Sequence, residues 1–566
     1  MRSINHSMQK SCTRCTAPFE VAPEDEAFYA SVSPEIGGKK FAIPSPSLCP
    51  NCRFQRRYAW RNERTLYLRK CDGTGKPTLS VFSEDKAIKQ YLPEYWYSDA
   101  WDAKSYARDF DFSRSFFEQF GELMHVVPQL SLSVVGNQNC DYINQAGWCK
   151  NCYLIFEAGS DEGCMYSNYI QKSRDCMDCL KVFGSELCYE CMNCENSYNL
   201  RYSEDSVNCS DSWFLKGCIG CKNCFGSVNL RNKEFYFYNQ KLSKEEYAKK
   251  LAQLDLSRSG IAQLRAHFRG YTSQFPNKYM HGVQNINSTG DYLSNTQNCK
   301  DCFEVMGSQD CRFVVNARNM KNVYDVLVFG EDGGAEFCYE SHEIGDGARN
   351  TCFTDQCWGG VYEIYYSKLC FSNSHHLLGC VGLKKSSYCI FNKQYSKEEY
   401  ESLAPRVIEH MMKTGEWGEF FPSALSPFAY NETVAQDFYT LDKATALAHG
   451  FKWKDPEEKA YLQQKVAIPE SIQQTPAEII QEVLACVDCG KNYKVIAQEL
   501  EFYRKMSLPV PVKCHNCRHK DRAQLRNPRF LWNRPCQECG MALQSSYAPE
   551  RTERVLCEAC YLKAVD

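Results

Sequence analysis

The chain has 566 residues, 43% of them hydrophobic and 13% aromatic, and a formal net charge of −3 at pH 7. This composition is typical of a folded protein, and the length allows about three to five domains. The near-neutral charge excludes a protein that coats nucleic acid over its whole surface, but it allows a local basic patch.

The cysteine count of 35 is the unusual feature of the composition. A cysteine-rich secreted protein usually carries disulfides. Here the start, Met1-Arg-Ser-Ile-Asn-His, lacks the apolar run of a signal peptide, and no stretch of about 18 apolar residues follows anywhere. We therefore expect reduced cysteines, a cytoplasmic location and no membrane contact.

The first predicted domain, residues 1–102, contains two C-x-x-C pairs, Cys12 with Cys15 and Cys49 with Cys52. Two such pairs supply the four thiolates of a tetrahedral zinc site. An aromatic connector is predicted for 103–135.

A first cysteine-rich unit is predicted for 136–270, since cysteines recur at a 12-residue interval from Cys140 to Cys188. Short strand-like runs separated by turn residues predict a β-solenoid with Cys, Ser and Asn stacked in ladders. The repeat is either one tight coil or half of a coil of about 24 residues. Ser243 and Glu246 form a capping box that predicts a closing helix.

A second unit of the same plan is predicted for 281–415, with the sequence Ser396-Lys-Glu-Glu-Tyr400 at its closing helix. A linker of aromatic and helical segments is predicted for 416–484. The fold class is therefore mainly β: two solenoid-like units, each closed by a helix and flanked by metal-binding modules.

The last predicted domain, residues 485–566, has four C-x-x-C pairs, enough for two zinc sites. The predicted ligands are Cys486, Cys489, Cys514, Cys517, Cys536, Cys539, Cys557 and Cys560. Four cysteine ligands leave no open position for water, so these zinc ions are expected to be structural.

The two terminal modules are copies of each other, because Cys52 to Cys71 and Cys517 to Cys536 have the same spacing and align without gaps. Both copies keep an arginine series. It consists of Arg53, Arg57, Arg61 and Arg64 in the first copy, and of Arg518, Arg522, Arg526 and Arg529 in the second. The second site of the N-terminal copy reads Cys71, Thr74, Leu92 and Tyr95. We therefore predict about three zinc ions per chain, with aromatic packing in place of the fourth.

These modules, with C-x-x-C-G, a Phe-Tyr pair 13 residues later and C-x-x-C-R-x-x-x-R, resemble the zinc-ribbon domains of uncharacterised bacterial proteins, related to ribbon and treble-clef folds. The resemblance covers the two termini. It implies zinc binding at Cys486, Cys489, Cys514 and Cys517 and at their N-terminal counterparts, and it implies no activity.

The arginine spacing i, i+4, i+8, i+11 predicts one face of a helix, with aromatic residues nearby. Such a face contacts RNA, DNA or the ribosome, or it pairs with carboxylates and braces the module. The solenoid cysteines allow three states: buried thiols in a ladder, further metal sites such as Cys188, Cys191 and Cys194 or Cys218, Cys221 and Cys224, or disulfides.

No catalytic motif occurs, and His375-His376 is the only histidine pair. The leading hypothesis is a non-enzymatic zinc protein that contacts nucleic acid or a ribonucleoprotein through the arginine faces. The second is a scaffold whose solenoids bind a protein partner and whose zinc modules act as caps. The third is an enzyme acting on polysaccharide.

Overall fold

The computed structural model describes residues 7–329, 333–456 and 459–565. The N-terminal module and connector consist of short hairpins and helices. These are β1 (Met8–Ser11), β2 (Pro18–Val21), α1 (Pro23–Val32), β3 (Glu35–Ile36), β4 (Lys39–Lys40), α2 (Pro50–Tyr58), β5 (Tyr67–Lys70), β6 (Pro77–Ser80), β7 (Gln90–Tyr91), α3 (Pro93–Tyr97), α4 (Phe116–Val126) and β8 (Gln129–Leu130).

A first solenoid of parallel strands follows, with two helices after its last strand. Its elements are β9 (Val134–Val135), β10 (Asn144–Gly147), β11 (Phe156–Gly159), β12 (Asn168–Gln171), β13 (Leu180–Phe183), β14 (Met192–Glu195), β15 (Tyr198–Arg201), β16 (Ser210–Trp213), β17 (Lys222–Phe225), β18 (Glu234–Phe237), β19 (Gln240–Lys241), α5 (Lys244–Ala252) and α6 (Arg258–Thr272).

The second solenoid and the helices after it come next. They comprise β20 (Asn277–Lys278), β21 (Gly282–Val283), β22 (Gly290–Asp291), β23 (Leu293–Ser294), β24 (Cys302–Met306), β25 (Gln309–Arg318), β26 (Met320–Phe329), β27 (Ala335–Gly345), β28 (Ala348–Cys352), β29 (Asp355–Trp358), β30 (Tyr362–Tyr365), β31 (His375–Leu378), β32 (Ser387–Ile390), β33 (Lys393–Gln394), α7 (Lys397–Thr414), α8 (Ala435–Phe438) and α9 (Lys443–Ala448).

The C-terminal module repeats the hairpin-and-helix plan of the first. It contains β34 (Leu484–Ala485), β35 (Asn492–Tyr493), α10 (Ala497–Met506), α11 (His515–Ala523), β36 (Trp532–Pro535), β37 (Ala542–Ser545), β38 (Val555–Leu556) and α12 (Glu558–Val565). Strand β38 pairs in parallel with β20, which joins this module to the entry of the second solenoid.

The coil of the first solenoid is 12 residues long, since Asn144 pairs with Phe156 and Phe156 with Asn168. The sequence left this choice open, and the shorter coil is the one formed. In the second solenoid the step varies: it is 12 residues between Phe303 and Val315, 15 between Leu327 and His342, and 13 between His342, Asp355 and Lys368. The fold is thus mainly β, with a β-solenoid core.

A three-residue unit underlies each coil. Every third residue has a positive φ, for instance Asn151, Leu154 and Glu157. Such left-handed residues are costly unless their surroundings fix them. Here the coil before supplies a carbonyl, because the N–H of Asn151 donates to Gln138 at 3.0 Å and that of Leu154 to Asp141 at 3.0 Å. The left-handed residues therefore form the coil corners.

The side chain after each corner points inward, and these interior positions are rich in Cys and Ser. Ser167 shows why: its hydroxyl donates to the carbonyl of Met165 at 2.9 Å and accepts from the N–H of Cys179, one coil later, at 3.0 Å. Asn residues stack outside, with Asn139 donating to Asn151 at 2.7 Å. The predicted ladders are confirmed.

We expect Ser167→Ala to destabilise the protein by about 1–3 kcal/mol, because it leaves the buried N–H of Cys179 without its acceptor. Ser167→Cys keeps an acceptor atom in a column that already contains Cys179, so its effect should be smaller. Urea unfolding of the two variants measures the difference. Equal stability of the two would contradict this role for the interior hydroxyl.

The two solenoids lie side by side and share polar contacts. Tyr292 of the second donates its hydroxyl to Asp205 of the first at 2.8 Å, and Asn193 donates to Tyr292 at 2.8 Å. Lys181 lies 3.6 Å from Glu304 across the same interface. Each terminal module contacts both of these solenoids.

Candidate metal centres and arginine contacts

Three groups of four cysteines each bring their sulfurs within 4.8 Å of one another. They are Cys12, Cys15, Cys49 and Cys52; Cys486, Cys489, Cys514 and Cys517; and Cys536, Cys539, Cys557 and Cys560. Across the clusters, Cys15 and Cys49 lie 3.6 Å apart, and Cys489 and Cys514 lie 3.8 Å apart. Tetrahedral bonds of about 2.3 Å from sulfur to zinc place sulfurs about 3.8 Å apart. All twelve predicted ligands thus gather into groups that could hold a metal ion.

Each group combines a hairpin turn with a helix N-terminus. Cys12 and Cys15 lie between β1 and β2, while Cys49 is the residue that begins α2. Cys514 begins α11 in the same way. Backbone N–H groups at such an end favour negative charge, as where the N–H of Cys557 points to the sulfur of Cys536 at 3.3 Å.

The pKa values of these thiols follow from this setting. The thiol of Cys52 donates to Cys49 and lowers the pKa of Cys49 to about 5. At Cys486 burial raises the pKa, but the backbone N–H groups of Cys514 and Cys489 outweigh it and lower the pKa to about 7. The thiolate, the form that binds metal, is therefore favoured at Cys49 and Cys486. In contrast, the hydrogen bond to Cys49 and burial raise the pKa of the Cys52 thiol, and burial and the neighbouring cysteines raise the pKa of the Cys517 thiol.

In the N-terminal module, aromatic side chains fill the place that corresponds to the second four-cysteine group of the C-terminal module, as the sequence predicts. The sulfur of Cys71 accepts the N–H of Leu92 at 3.4 Å, and Tyr91 packs edge-on against Tyr95 with ring centres 5.0 Å apart. Tyr91 also meets Trp101 at 5.4 Å. Aromatic packing occupies the place of the three missing ligands.

The N-terminal arginines point inward, onto the second solenoid. Arg53 and Arg57 each lie 2.9 Å from Asp325, and Arg57 lies 2.9 Å from Glu340. The side chains of Arg57 and Asp325 are 0% exposed. Burial lowers the pKa of Arg53, but the Asp325 carboxylate outweighs it and holds the pKa well above its usual value.

The C-terminal arginines make the matching contact with the first solenoid. Arg518 and Arg522 each lie 2.9 Å from Asp178, and Arg522 lies 3.4 Å from Glu190. Each module therefore docks on the solenoid farther from it in sequence. The carboxylates Asp178 and Asp325 were not found from the sequence, since nothing in it distinguishes them from other solenoid acids.

The prediction of one helix face holds only for the first two arginines of each series. Helix α2 ends at Tyr58 and α11 ends at Ala523, so the later arginines lie beyond the helices. A turn follows α2, closed by backbone hydrogen bonds in which the N–H of Trp60 donates to the carbonyl of Arg57 and that of Arg61 donates to the carbonyl of Tyr58.

Among these later arginines, Arg61 stays with the second solenoid, whereas Arg64 and Arg529 each reach the other solenoid. Arg61 pairs with Glu343 and, at 2.5 Å, with Glu63. Arg64 donates to Asn168 at 3.3 Å on the first solenoid, and Arg529 pairs with Glu304 on the second. Arg526 lies over the ring of Phe438, 4.2 Å from its centre. Each module thus reaches both solenoids.

The solenoid cysteines form no further metal group among the residues that the structure describes. The sulfur of Cys194 donates instead to the carbonyls of Met192 at 3.4 Å and Ser203 at 3.5 Å. The described cysteines are free thiols. His375 and His376 face each other, with their Nδ1 atoms 2.8 Å apart, and His376 also contacts Glu363 at 2.7 Å.

No protein-family model matches the sequence, and no curated protein matches it either. Within the described residues, none of the helices combines the length and apolar character that a membrane crossing requires.

Proposed function

We propose that this chain is a non-enzymatic zinc protein, a scaffold in which two terminal modules hold two β-solenoids in a fixed relation and present them to a protein partner. Zinc is the metal we propose, because four cysteine thiolates at tetrahedral spacing suit it, and zinc-ribbon is the fold we propose for the modules. With four protein ligands there is no open position for catalysis.

The observation that carries this proposal is the direction of the arginines. Arg53, Arg57, Arg518 and Arg522 are buried against solenoid carboxylates. A guanidinium that contacts a phosphate must be reachable from solvent. This placement supports the bracing role over the nucleic-acid contact, the other role that the arginine series suggested.

For the protein partner we propose a groove of about 830 Å³ on the second solenoid beside α1. It offers the rings of Tyr324 and Phe337 together with the polar ladder of Asn298 and Asp310. Mixed aromatic and amide surfaces of this kind suit protein contacts.

The test uses the purified, metal-loaded full chain. The scaffold predicts no retention on single-stranded RNA or duplex DNA at low salt, and an increase in the radius of gyration in small-angle scattering when a chelator removes the metal. Metal-loaded protein at high salt is the control for simple charge screening. Retention on nucleic acid that falls steeply with salt would instead support phosphate contacts and overturn the scaffold.

A further inference from the structure

A small enclosed cavity lies where the N-terminal module, the connector and both solenoids meet. Its volume is about 30 Å³, and its walls include Trp60, Gln129, Asn144, His342 and Lys368. Such a volume excludes an organic substrate and has room for about one water molecule. Its wall combines these polar side chains with the apolar side chains of Val81, Phe82, Leu130, Leu369 and Phe428.

Three buried polar atoms in this wall have no hydrogen-bond partner in the protein: Trp60 Nε1, Gln129 Oε1 and His342 Nε2. Each belongs to a side chain that is at most 2% exposed. Gln129 is held in place by its own amide, which donates to the carbonyls of Met124 and Val127 at 3.1 Å each. Its Oε1 atom is therefore fixed as an acceptor.

The chemistry of His342 is set by a ladder of stacked residues. His342, Asp355 and Lys368 occupy successive coils, with His342 Nδ1 2.5 Å from Asp355 and Lys368 paired to the same carboxylate. An ionised Asp355 requires the N–H of His342 at Nδ1. Burial lowers the pKa of His342, so the ring is neutral and Nε2 is an acceptor.

Nε2 of His342 also faces Glu343 Oε1 at 3.6 Å. Both atoms are acceptors, and the Arg61 guanidinium already donates to Glu343 Oε1. His342 Nε2, which is buried, therefore still lacks a donor. Gln129 Oε1 also needs a donor, whereas the indole N–H of Trp60 needs an acceptor.

We infer that this cavity is a hydration site for one structural water molecule, held between Trp60, Gln129 and His342. Water is the smallest molecule that accepts from an indole N–H and donates two hydrogen bonds at once. An ammonium ion offers no acceptor, and a bare cation would face the indole N–H. The water joins the N-terminal module to the second solenoid through a bridging hydrogen-bond network.

A high-resolution crystal structure of the full, metal-loaded chain tests this inference. We expect a single ordered peak within about 3.2 Å of His342 Nε2 and of a second wall atom. Trp417→Phe is a matched control, because the Trp417 indole donates elsewhere, to Ala42 at 2.9 Å. The peak should persist in Trp417→Phe and should weaken or move in Trp60→Phe.

A cavity without density in the wild-type crystal would overturn the inference. A direct hydrogen bond from the Trp60 indole to Gln129 or to His342, with no peak between them, would do the same. The wild-type measurement decides the matter even if Trp60→Phe fails to fold.

Discussion

Replacing Asp325 with alanine is expected to destabilise the protein by about 3–5 kcal/mol, since it leaves two buried guanidinium groups without their shared carboxylate. Arg53 and Arg57 both contact Asp325, and all three side chains are at most 1% exposed. Asp178→Ala should have a similar effect at the other end, where Arg518 and Arg522 share one carboxylate. Shifts of the denaturation midpoint measure both.

Asp175→Ala is the matched control for these variants. Asp175 lies in the same coil as Asp178, and its partner Lys505 is also in the C-terminal module, but this pair is 38% and 53% exposed. Exposed pairs contribute about 0–1 kcal/mol. An equally large loss of stability in Asp175→Ala would show that the buried arginine contacts contribute no more to stability than an exposed ion pair does.

Removing one metal ligand is expected to have the largest effect of all. Structural zinc sites contribute about 10–16 kcal/mol of apparent binding free energy in isolated zinc-finger peptides. Cys514→Ser takes one ligand from a group whose helix, α11, carries both Arg518 and Arg522. We therefore expect the loss of one of three metal ions, together with release of the C-terminal module from the first solenoid.

Elemental analysis of the purified variants counts the metal, and limited proteolysis reports the release of the module. Cys71→Ser provides the control, because Cys71 belongs to no four-cysteine group in the described structure. It should keep all three ions. Full metal content in Cys514→Ser, or a lost ion in Cys71→Ser, would contradict the assignment of ligands.

The three four-cysteine groups that could hold a metal ion could be predicted from the sequence, because C-x-x-C is a local pattern whose spacing already matches the geometry of such a site. The docking of the terminal modules on the solenoids could not be predicted from a local pattern of this kind. Asp178 and Arg518 are 340 residues apart, and their contact depends on how two solenoids lie against each other. The sequence shows the arginine series itself, but the direction in which the arginine side chains point depends on this tertiary packing.

The cysteine spacing of the first solenoid contains two periods. The 12-residue interval predicts the coil, and a three-residue unit lies within it. From Cys140 to Cys224 every cysteine differs from the next by a multiple of three, as in Cys149, Cys152, Cys164 and Cys176. Strand prediction assumes a period of two, and left-handed corners at every third residue break that assumption.

The constant 12-residue coil of the first solenoid fixes the spacing of its side chains along the solenoid axis. Successive coils rise by about 4.8 Å, so deleting one 12-residue coil would leave the remaining coils able to stack and yet shift everything beyond it by that distance. A deletion between Tyr189 and Tyr202 would leave Asp178 under Arg518 but would put Asp205 in the place of Asn193 and Gly217 in the place of Asp205 beside Tyr292. The number of coils, and not only their sequence, therefore sets which residues of the first solenoid meet the second.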